Sequence, residues 1–483
     1  MTSDQPSAHK QEQWLFYSLL AIIAWLPLPL GSRYPLGWGI MEIATFGLLS
    51  FWLFIQFFKQ KNYVLSINPI SKVVLLLFII SLAYQLFQTA TLTPEIIRFL
   101  SPQAFETYNL SQEIAPKNAF SLSLDRGLTL QEFLKSASYA SIFFLTLVLT
   151  NSRKRLKQLA FLLISVGFAE SLLGLADVLA KGQLFRLPFT GIGGASYSAT
   201  GTYANYNHFG GLLEMAIPVS VGLLMATAVA PEMHPNWRAR LRVLFQGLLS
   251  PRLWLYAVTT TMIIALLYSR SRGANISLIS AAGLTTGIVF LFKRTKAKKQ
   301  ESRPLLTLIF PLIIGLSLGA NPLLSRLETQ GLQNNRNEIR DIAYKVVADY
   351  PLFGVGSGNW SHVYMAYQDD EPGSYNSRFL LNNVHNDYLE LIVEQGIIGF
   401  IIFGSAVLLA LSTMIIALCR RKDPLMQGIL WACVTATFSL LSHSLADYNF
   451  HIPANAGWFS VILAMGLIAS RMPRDAEFKQ QNG

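Results

Sequence analysis

Asn383-Val-His385-Asn-Asp-Tyr-Leu-Glu390-Leu-Ile-Val-Glu394-Gln-Gly396 closes a polar segment of about 68 residues, Asn321 to Tyr388, inside an otherwise apolar chain. A histidine where an aqueous segment meets an apolar helix can exchange protons with water while facing something held in lipid. Whether that setting applies depends on the flanking sequence. Of 483 residues, 52% are apolar and only 13% charged, about half the charged fraction of a soluble protein, which runs near ~25%. The composition therefore reads as an integral membrane protein.

Working outward, runs long enough to cross a bilayer, roughly 17–25 residues, fall at Trp14–Leu30, Leu36–Phe58, Val73–Thr89, Phe133–Thr150, Leu156–Ala180, Phe209–Ala230, Leu253–Tyr268, Ala274–Phe292, Leu305–Ala320, Leu389–Leu418, Leu425–Leu441 and Ala454–Ser470. The expectation is an all-α protein of about twelve transmembrane helices. Basic residues orient it, because cytoplasmic loops are enriched in Lys and Arg. With the N-terminus inside, the inner pieces are the N-terminal stretch with Lys10, Lys59–Lys72, Arg153–Lys157, Arg238–Arg252, Lys293–Arg303, Arg420–Lys422 and Arg471–Lys479, and every one is basic. Both termini are then cytoplasmic. The net charge of +11 is explained by these short loops, so it gives no support to nucleic-acid binding. Trp14–Leu30 is read as a first span and not as a cleaved signal, since no small-residue cleavage site follows it. Cys419 and Cys433 are the only cysteines, too few for a disulfide framework.

No Pro- or Ser-rich linker divides the chain, so residues 1–483 read as one polytopic membrane domain with two outer elaborations. Residues 90–130 hold Pro94, Pro102 and Pro116 among scattered charges and predict short helices on the membrane surface. Residues 321–388 form a large loop between spans nine and ten. In it, Asn337 to Tyr350 has the three- and four-residue apolar spacing of an amphipathic helix that Pro351 stops. Gly354-Val-Gly356-Ser-Gly358-Asn-Trp360 lacks a preceding strand and a Lys-Ser/Thr, so it reads as a tight turn near the membrane and not as a phosphate cradle.

On this topology the outer ends of several spans collect polar side chains. Arg270 and Arg272 lie in Tyr268-Ser-Arg-Ser-Arg-Gly273. Asn207 and His208 lie in Gly201-Thr-Tyr-Ala-Asn-Tyr-Asn-His-Phe, and His443, Asp447 and His451 follow span eleven. Two arginines beside a glycine suit a diphosphate, as permanently charged multidentate donors near exposed amides; lipid phosphates are the other destination open to them. His385 is a candidate general base, and Glu390 and Glu394 follow at helical spacing to orient groups nearby. His443, Asp447 and His451 are spaced four and four, which on a continuous helix would stack them as metal ligands. Pro453 and the absence of a His-Glu-x-x-His motif argue against that arrangement, and lining the outer cavity is the preferred reading of these residues.

Three stretches, GTYANYNHFG at 201–210, SRSRG at 269–273 and residues 340–399 with DYPLFGVGSGNW and HNDYLELIVEQGIIG, resemble the O-antigen ligase and O-antigen polymerase superfamily of bacterial inner-membrane glycosyltransferases. The HN-x-x-L-x-x-x-x-E-x-G pattern is the most specific of them. The resemblance implies a GT-C-like fold in the inner membrane with a periplasmic active site. There, a glycan passes from an undecaprenyl-diphosphate carrier to an acceptor hydroxyl, lipid A–core or another carrier-linked glycan, with inversion and with neither metal nor other cofactor. It implies that His385 is the base and that Arg272 with Arg270 engages the diphosphate. Asn207, His208, Asn386, Glu394, His443 and Asp447 are expected to line or support the cavity. Many members carry a further arginine near the sixth span; here Ser198, Tyr203 and Tyr206 stand in that region, and Arg186, about fifteen residues before the Gly-Thr-Tyr segment, is the candidate. Membrane lipids and polysaccharide-export components are the expected partners, and no nucleic acid. The alternative is a flippase or transporter of polyisoprenoid-linked glycans, and a scaffold for export is a third reading. Transporters place charges near the bilayer midplane and often show repeated halves, neither of which is visible here.

Overall fold

The computed structural model describes residues 5–58, 67–112, 120–182, 198–227, 251–292, 332–368 and 381–473. Its helices are α1 (Gln5–Trp25), α2 (Pro35–Phe58), α3 (Pro69–Thr89), α4 (Pro94–Leu100), α5 (Pro102–Gln112), α6 (Arg126–Leu149), α7 (Arg153–Leu179), α8 (Tyr206–Ala226), α9 (Pro251–Tyr268), α10 (Arg272–Phe292), α11 (Leu332–Asp349), α12 (Trp360–Val363), α13 (Asp387–Arg420), α14 (Pro424–His443) and α15 (Pro453–Arg471). Among the described residues there is no strand, only an isolated antiparallel bridge between Leu92 and Phe120.

Nine of these helices, α2, α3, α6, α7, α8, α10, α13, α14 and α15, are long and apolar enough to cross a membrane, and Gln13–Trp25 and Arg252–Tyr268 are shorter apolar helices. This is a multi-pass membrane protein. The expected span at Leu305–Ala320 lies outside the described residues. The first span is corrected: its helix ends at Trp25 and not at Leu30, because Pro27 and Pro29 cannot donate the backbone hydrogen bonds a continuing helix needs.

Helices α8, α14 and α15 form the centre. Their apolar windows are 89%, 78% and 89% buried, against 22% for α2 and α10, as expected of helices enclosed on all sides. Apolar residues of the outer helices, among them Phe51, Phe57, Leu76, Ile79, Ile276 and Phe292, are exposed and make the lipid-facing surface. At one end of the bundle, Arg153 at the start of α7 makes a two-pronged ion pair with Asp423, which caps α14, at 2.6 and 3.1 Å. Both residues belong to or adjoin the loops assigned inside from charge.

At the other end the two outer elaborations pack on each other. Ile97, Ala104, Tyr108, Phe120 and Leu122 share a second apolar core with Ile339, Val346, Trp360, Leu389 and Val393. Residues 94–112 are thus short helices, as expected, but they bury an apolar face against the second loop instead of only lying on a surface. The amphipathic helix that Pro351 ends is α11. Asn359 ties the loops together: its Oδ1 accepts the Asp125 N–H at 2.9 Å and its Nδ2 donates to Thr129 Oγ1 at 3.1 Å.

One break positions the site. Helix α13 is interrupted at Gly396, whose φ of 64° and ψ of −176° belong to a region essentially closed to other residues. The break frees backbone carbonyls, which a membrane protein must satisfy internally. Val393 O accepts Val355 N–H at 2.9 Å, Glu394 O accepts Gly356 N–H at 2.8 Å and Gln88 Nε2–H at 2.9 Å, and Gln395 O accepts Tyr84 O–H at 2.8 Å. Below the break, Ile397 N–H donates to Pro351 O at 3.0 Å. Gly354, Gly356 and Gly358 all have positive φ, which lets this backbone wrap the break. The glycine run is the tight turn the sequence predicts. The expected span Leu389–Leu418 is accordingly two pieces: a stub, residues 387–395, packed in the outer core, and a longer helix after Gly396.

Candidate active site

His385 lies two residues before the α13 stub, and the fold grips it from both sides. Asn386 caps the stub, accepting the N–H groups of Tyr388 and Leu389, both at 3.1 Å. Glu390, one turn into the helix, reaches back: its Oε2 accepts Val384 N–H and its Oε1 accepts Asn383 Nδ2–H, both at 2.9 Å. From α11, Arg340 donates to the carbonyls of His385 at 3.3 Å and Leu445 at 3.1 Å. These contacts hold His385 at φ +56°, a left-handed conformation that costs a non-glycine residue about 1–3 kcal/mol and persists where surroundings over-determine it.

The imidazole faces Asp447. His385 Nδ1 lies 3.5 Å from Asp447 Oδ1, and the histidine side chain is 27% exposed while the aspartate is fully buried. Asp447 is the hub of a wider network. His208 Nε2 is 3.8 Å from its Oδ1, His443 Nε2 is 3.9 Å from its Oδ2, and the Tyr448 N–H donates to Oδ1 at 2.9 Å. The 3.5, 3.8 and 3.9 Å separations are ion-pair distances and not formed hydrogen bonds. Behind His443 lies Glu214, fully buried in α8, with Oε2 at 3.3 Å from His443 Nδ1. Burial alone would raise the Asp447 pKa, but the imidazoles of His208 and His385, with His443, hold it well below the usual carboxylate range. Asp447 therefore supplies a fixed negative charge, and His385 is the network's solvent-reaching end.

Tyr448 backs this arrangement with its ring edge-on to His208 at 4.6 Å and to His385 at 4.8 Å. Asn455 locks the segments together, donating to His208 O and Asn449 Oδ1 at 3.0 Å each and accepting from Tyr203 O–H at 3.0 Å. Asn207 is buried beside His208 in the first turn of α8, its N–H capped by Asn205 at 2.8 Å.

Arg270 and Arg272 occupy the turn between α9 and α10. Arg270 is left-handed at φ +59°, and its Nε is buried without a hydrogen-bond partner among the described residues. Arg272 opens α10, and Gly273 after it lies flat against His443: a Cβ there would sit 2.6 Å from His443 Cδ2. Only glycine lets the start of α10 approach the network this closely. Among the described residues neither arginine is paired with a carboxylate; Ala274 N–H of α10 donates to Ser271 Oγ at 3.3 Å, and the Arg272 and Gly273 amides precede the first intrahelical acceptor. The turn is thus a positive edge against His443 that no described carboxylate neutralises.

His443, Asp447 and His451 do not stack on one helix, because α14 ends at His443. His451 turns into a second cluster: Nδ1 is 3.0 Å from Asp387 Oδ1, and Nε2 is 3.5 Å from Glu390 and 4.0 Å from Glu394. Glu394 accordingly supports His451 and accepts Trp360 N–H at 3.5 Å; its side chain does not meet His385. Burial disfavours the charged form of His451, but Glu390, Asp387 and Glu394 outweigh it and keep the imidazole protonated well above its ordinary range. Ligand atoms of Glu390, Glu394 and His451 lie within 4.8 Å of one another, close enough to share a cation. Several are already engaged, however: both Glu390 oxygens accept hydrogen bonds and the imidazole is ion-paired. Arg186 lies outside the described residues.

Glu214, Asp387, Tyr448 and Arg340 are site residues the sequence reading missed. Glu214 carried a usable signal, since a carboxylate in the middle of an apolar run is costly and functional by default.

Residues 257–404 match the family model described as O-antigen ligase. The match supports the O-antigen ligase and polymerase superfamily. No curated protein matches the chain. The matched residues take in Arg270, Arg272, His385 and the Gly396 break; His208, Glu214, His443 and Asp447 lie outside them, and the fold brings them to the same place.

Proposed function

We propose that this protein is a periplasm-facing glycosyltransferase of the inner membrane, with both termini in the cytoplasm. It transfers a glycan from an undecaprenyl-diphosphate carrier to an acceptor hydroxyl on another glycan. The observation that carries the reading is His385 Nδ1 at 3.5 Å from the fully buried Asp447, at the solvent-reaching edge of a membrane bundle, with the Arg270–Arg272 turn packed against His443 of the same network. Asp447 keeps the Nδ1 proton and orients the ring, leaving Nε2 to take the proton of the acceptor hydroxyl. The alkoxide-like oxygen attacks the anomeric carbon as the bond to the diphosphate breaks. Arg270, Arg272 and the Arg272 and Gly273 amides that open α10 stabilise the charge that collects on the leaving diphosphate. One displacement inverts the anomeric centre, and the step itself requires neither a carboxylate nucleophile nor a metal. Asp447 stabilises the imidazolium that forms, while Glu214 and His443 hold Asp447 from behind.

The test is transfer by purified protein supplied with a defined undecaprenyl-diphosphate glycan, comparing wild type, His385→Ala and Arg272→Ala by product analysis. Loss of product in both variants at retained donor binding by His385→Ala is expected. Transfer that survives both substitutions overturns the mechanism.

A further inference from the structure

The turn after α1 runs directly into the site. Leu30, Gly31 and Ser32 are all left-handed, at φ 57°, 68° and 56°, and two of the three are not glycine. Strain of this kind is retained where neighbours hold it in place. Ser32 Oγ donates to Leu26 O at 2.7 Å, and Thr202 Oγ1 donates to Pro27 O at 2.9 Å. Gly31 is pressed so closely on the Tyr203 ring that a Cβ there would lie 2.7 Å from Tyr203 Cε1, and 3.2 Å from Ile452 Cγ2.

What the turn delivers is Arg33. Its guanidinium carbon lies 6.0 Å from the centre of the Tyr448 ring, the same ring whose edges meet His385 and His208. The side chain is half-buried, and among the described residues no carboxylate pairs with it. Asp447, the carboxylate hub of the network, is already flanked by three imidazoles. A half-buried guanidinium that no described carboxylate neutralises is stabilised where an anion joins it, and its planar fork suits phosphate oxygens. An arginine that only anchors the helix end in lipid has no need of a strained turn that sets it over the aromatic ring of the site.

We infer that Arg33 is an anion-binding residue of the active site, contributed by the α1–α2 turn, and that it grips a phosphate of the diphosphate donor from a wall separate from the one bearing Arg270 and Arg272. The inference rests on the donor reading above. Arg33 thereby adds to the leaving-group charge stabilisation without touching the proton transfer at His385.

The probe is inorganic pyrophosphate, added to purified full-length protein in phosphatidylcholine nanodiscs. Calorimetric binding requires no turnover, so it tests Arg33 even where the transfer reading fails. Arg33→Gln is expected to weaken pyrophosphate binding about tenfold, with Arg33→Lys recovering part of it, as a charge-assisted contact to a phosphate predicts. With the glycan donor, Arg33→Gln should raise KM more than it lowers kcat. Unchanged pyrophosphate affinity in an Arg33→Gln protein that melts like wild type overturns the inference. Loss of thermal stability in lipid at unchanged pyrophosphate affinity assigns Arg33 to a lipid headgroup and overturns it equally. Wild-type protein that binds pyrophosphate through Arg33 yet transfers no glycan leaves the anion site standing and removes the transferase reading.

Discussion

Replacing Asp447 by Asn keeps the size of the side chain and removes the fixed negative charge that faces His385. At the 3.5 Å separation of Nδ1 and Oδ1, an imidazolium and a carboxylate attract by about 1 kcal/mol if the site behaves like bulk water and by about 4–5 kcal/mol at an effective permittivity near 20. Asp447 is fully buried but His385 is partly open to solvent, so the loss should fall between these bounds, roughly 3–4 kcal/mol, or a rate reduction of about 10²–10³-fold. Because the charge acts only once the imidazole has taken a proton, kcat should fall while the donor KM stays within about threefold. Single-turnover transfer from a defined carrier-linked glycan measures this directly. His385→Ala and the His385→Ala/Asp447→Asn double variant complete a cycle: if Asp447 works through His385, the double variant should be no worse than His385→Ala alone. An Asp447→Asn enzyme within a factor of about three of wild type refutes the reasoning, and so does a double variant whose losses multiply.

Gly396→Ala places a methyl group where Leu352 O and Phe353 N lie, in a backbone region that alanine does not adopt; a loss of about 3 kcal/mol or more should appear as a lowered thermal midpoint in detergent, and an unchanged midpoint counts against the break as built. His451 gives a pH dependence of known sign. Its folded pKa is raised by Glu390, Asp387 and Glu394, so the stabilisation is complete below the unfolded value of about 6.5 and is lost as pH rises through the folded value. Thermal midpoints should therefore drop on the alkaline side, and His451→Gln should flatten that limb; identical limbs in the two proteins would show that the cluster is not the source.

The spans, the grouping of charged residues at one end and the turn at Gly354–Gly358 were legible because each is a local signal: an apolar run, a charge, a glycine spacing. The break at Gly396 was not. Its glycine stood in the quoted motif, but nothing local distinguishes a glycine that interrupts a helix from one that merely lines it, since the reason is the Pro351–Gly356 backbone arriving from about forty residues earlier. The same holds for the pairing of histidines. Spacing of four and four would put His443, Asp447 and His451 on one face only of a continuous helix, and the chain leaves the helix at His443 and sends His451 to Asp387. Which carboxylate meets which imidazole is set by how α8, α13 and α14 pack, and sequence separations of 62 between His385 and Asp447 or 229 between Glu214 and His443 leave no periodic trace.

Backbone strain shows why these groups stay where they are. Of the five described non-glycine residues with positive φ, His385 and Arg270 are candidate site residues, and Leu30 and Ser32 set the turn that ends in Arg33. Each lies in a connection between helices, where the chain must reverse or enter a span. A helix could present these side chains only at its own pitch and along its own face; a strained turn can point one at a target fixed by other helices. The cost is met by the packing of α8, α14 and α15, whose near-complete burial leaves little room for the turns to relax. Loosening that centre should therefore disturb the alignment of His385, Arg270 and Arg33 before it unfolds the outer helices, because the site depends on positions that only a rigid core can hold.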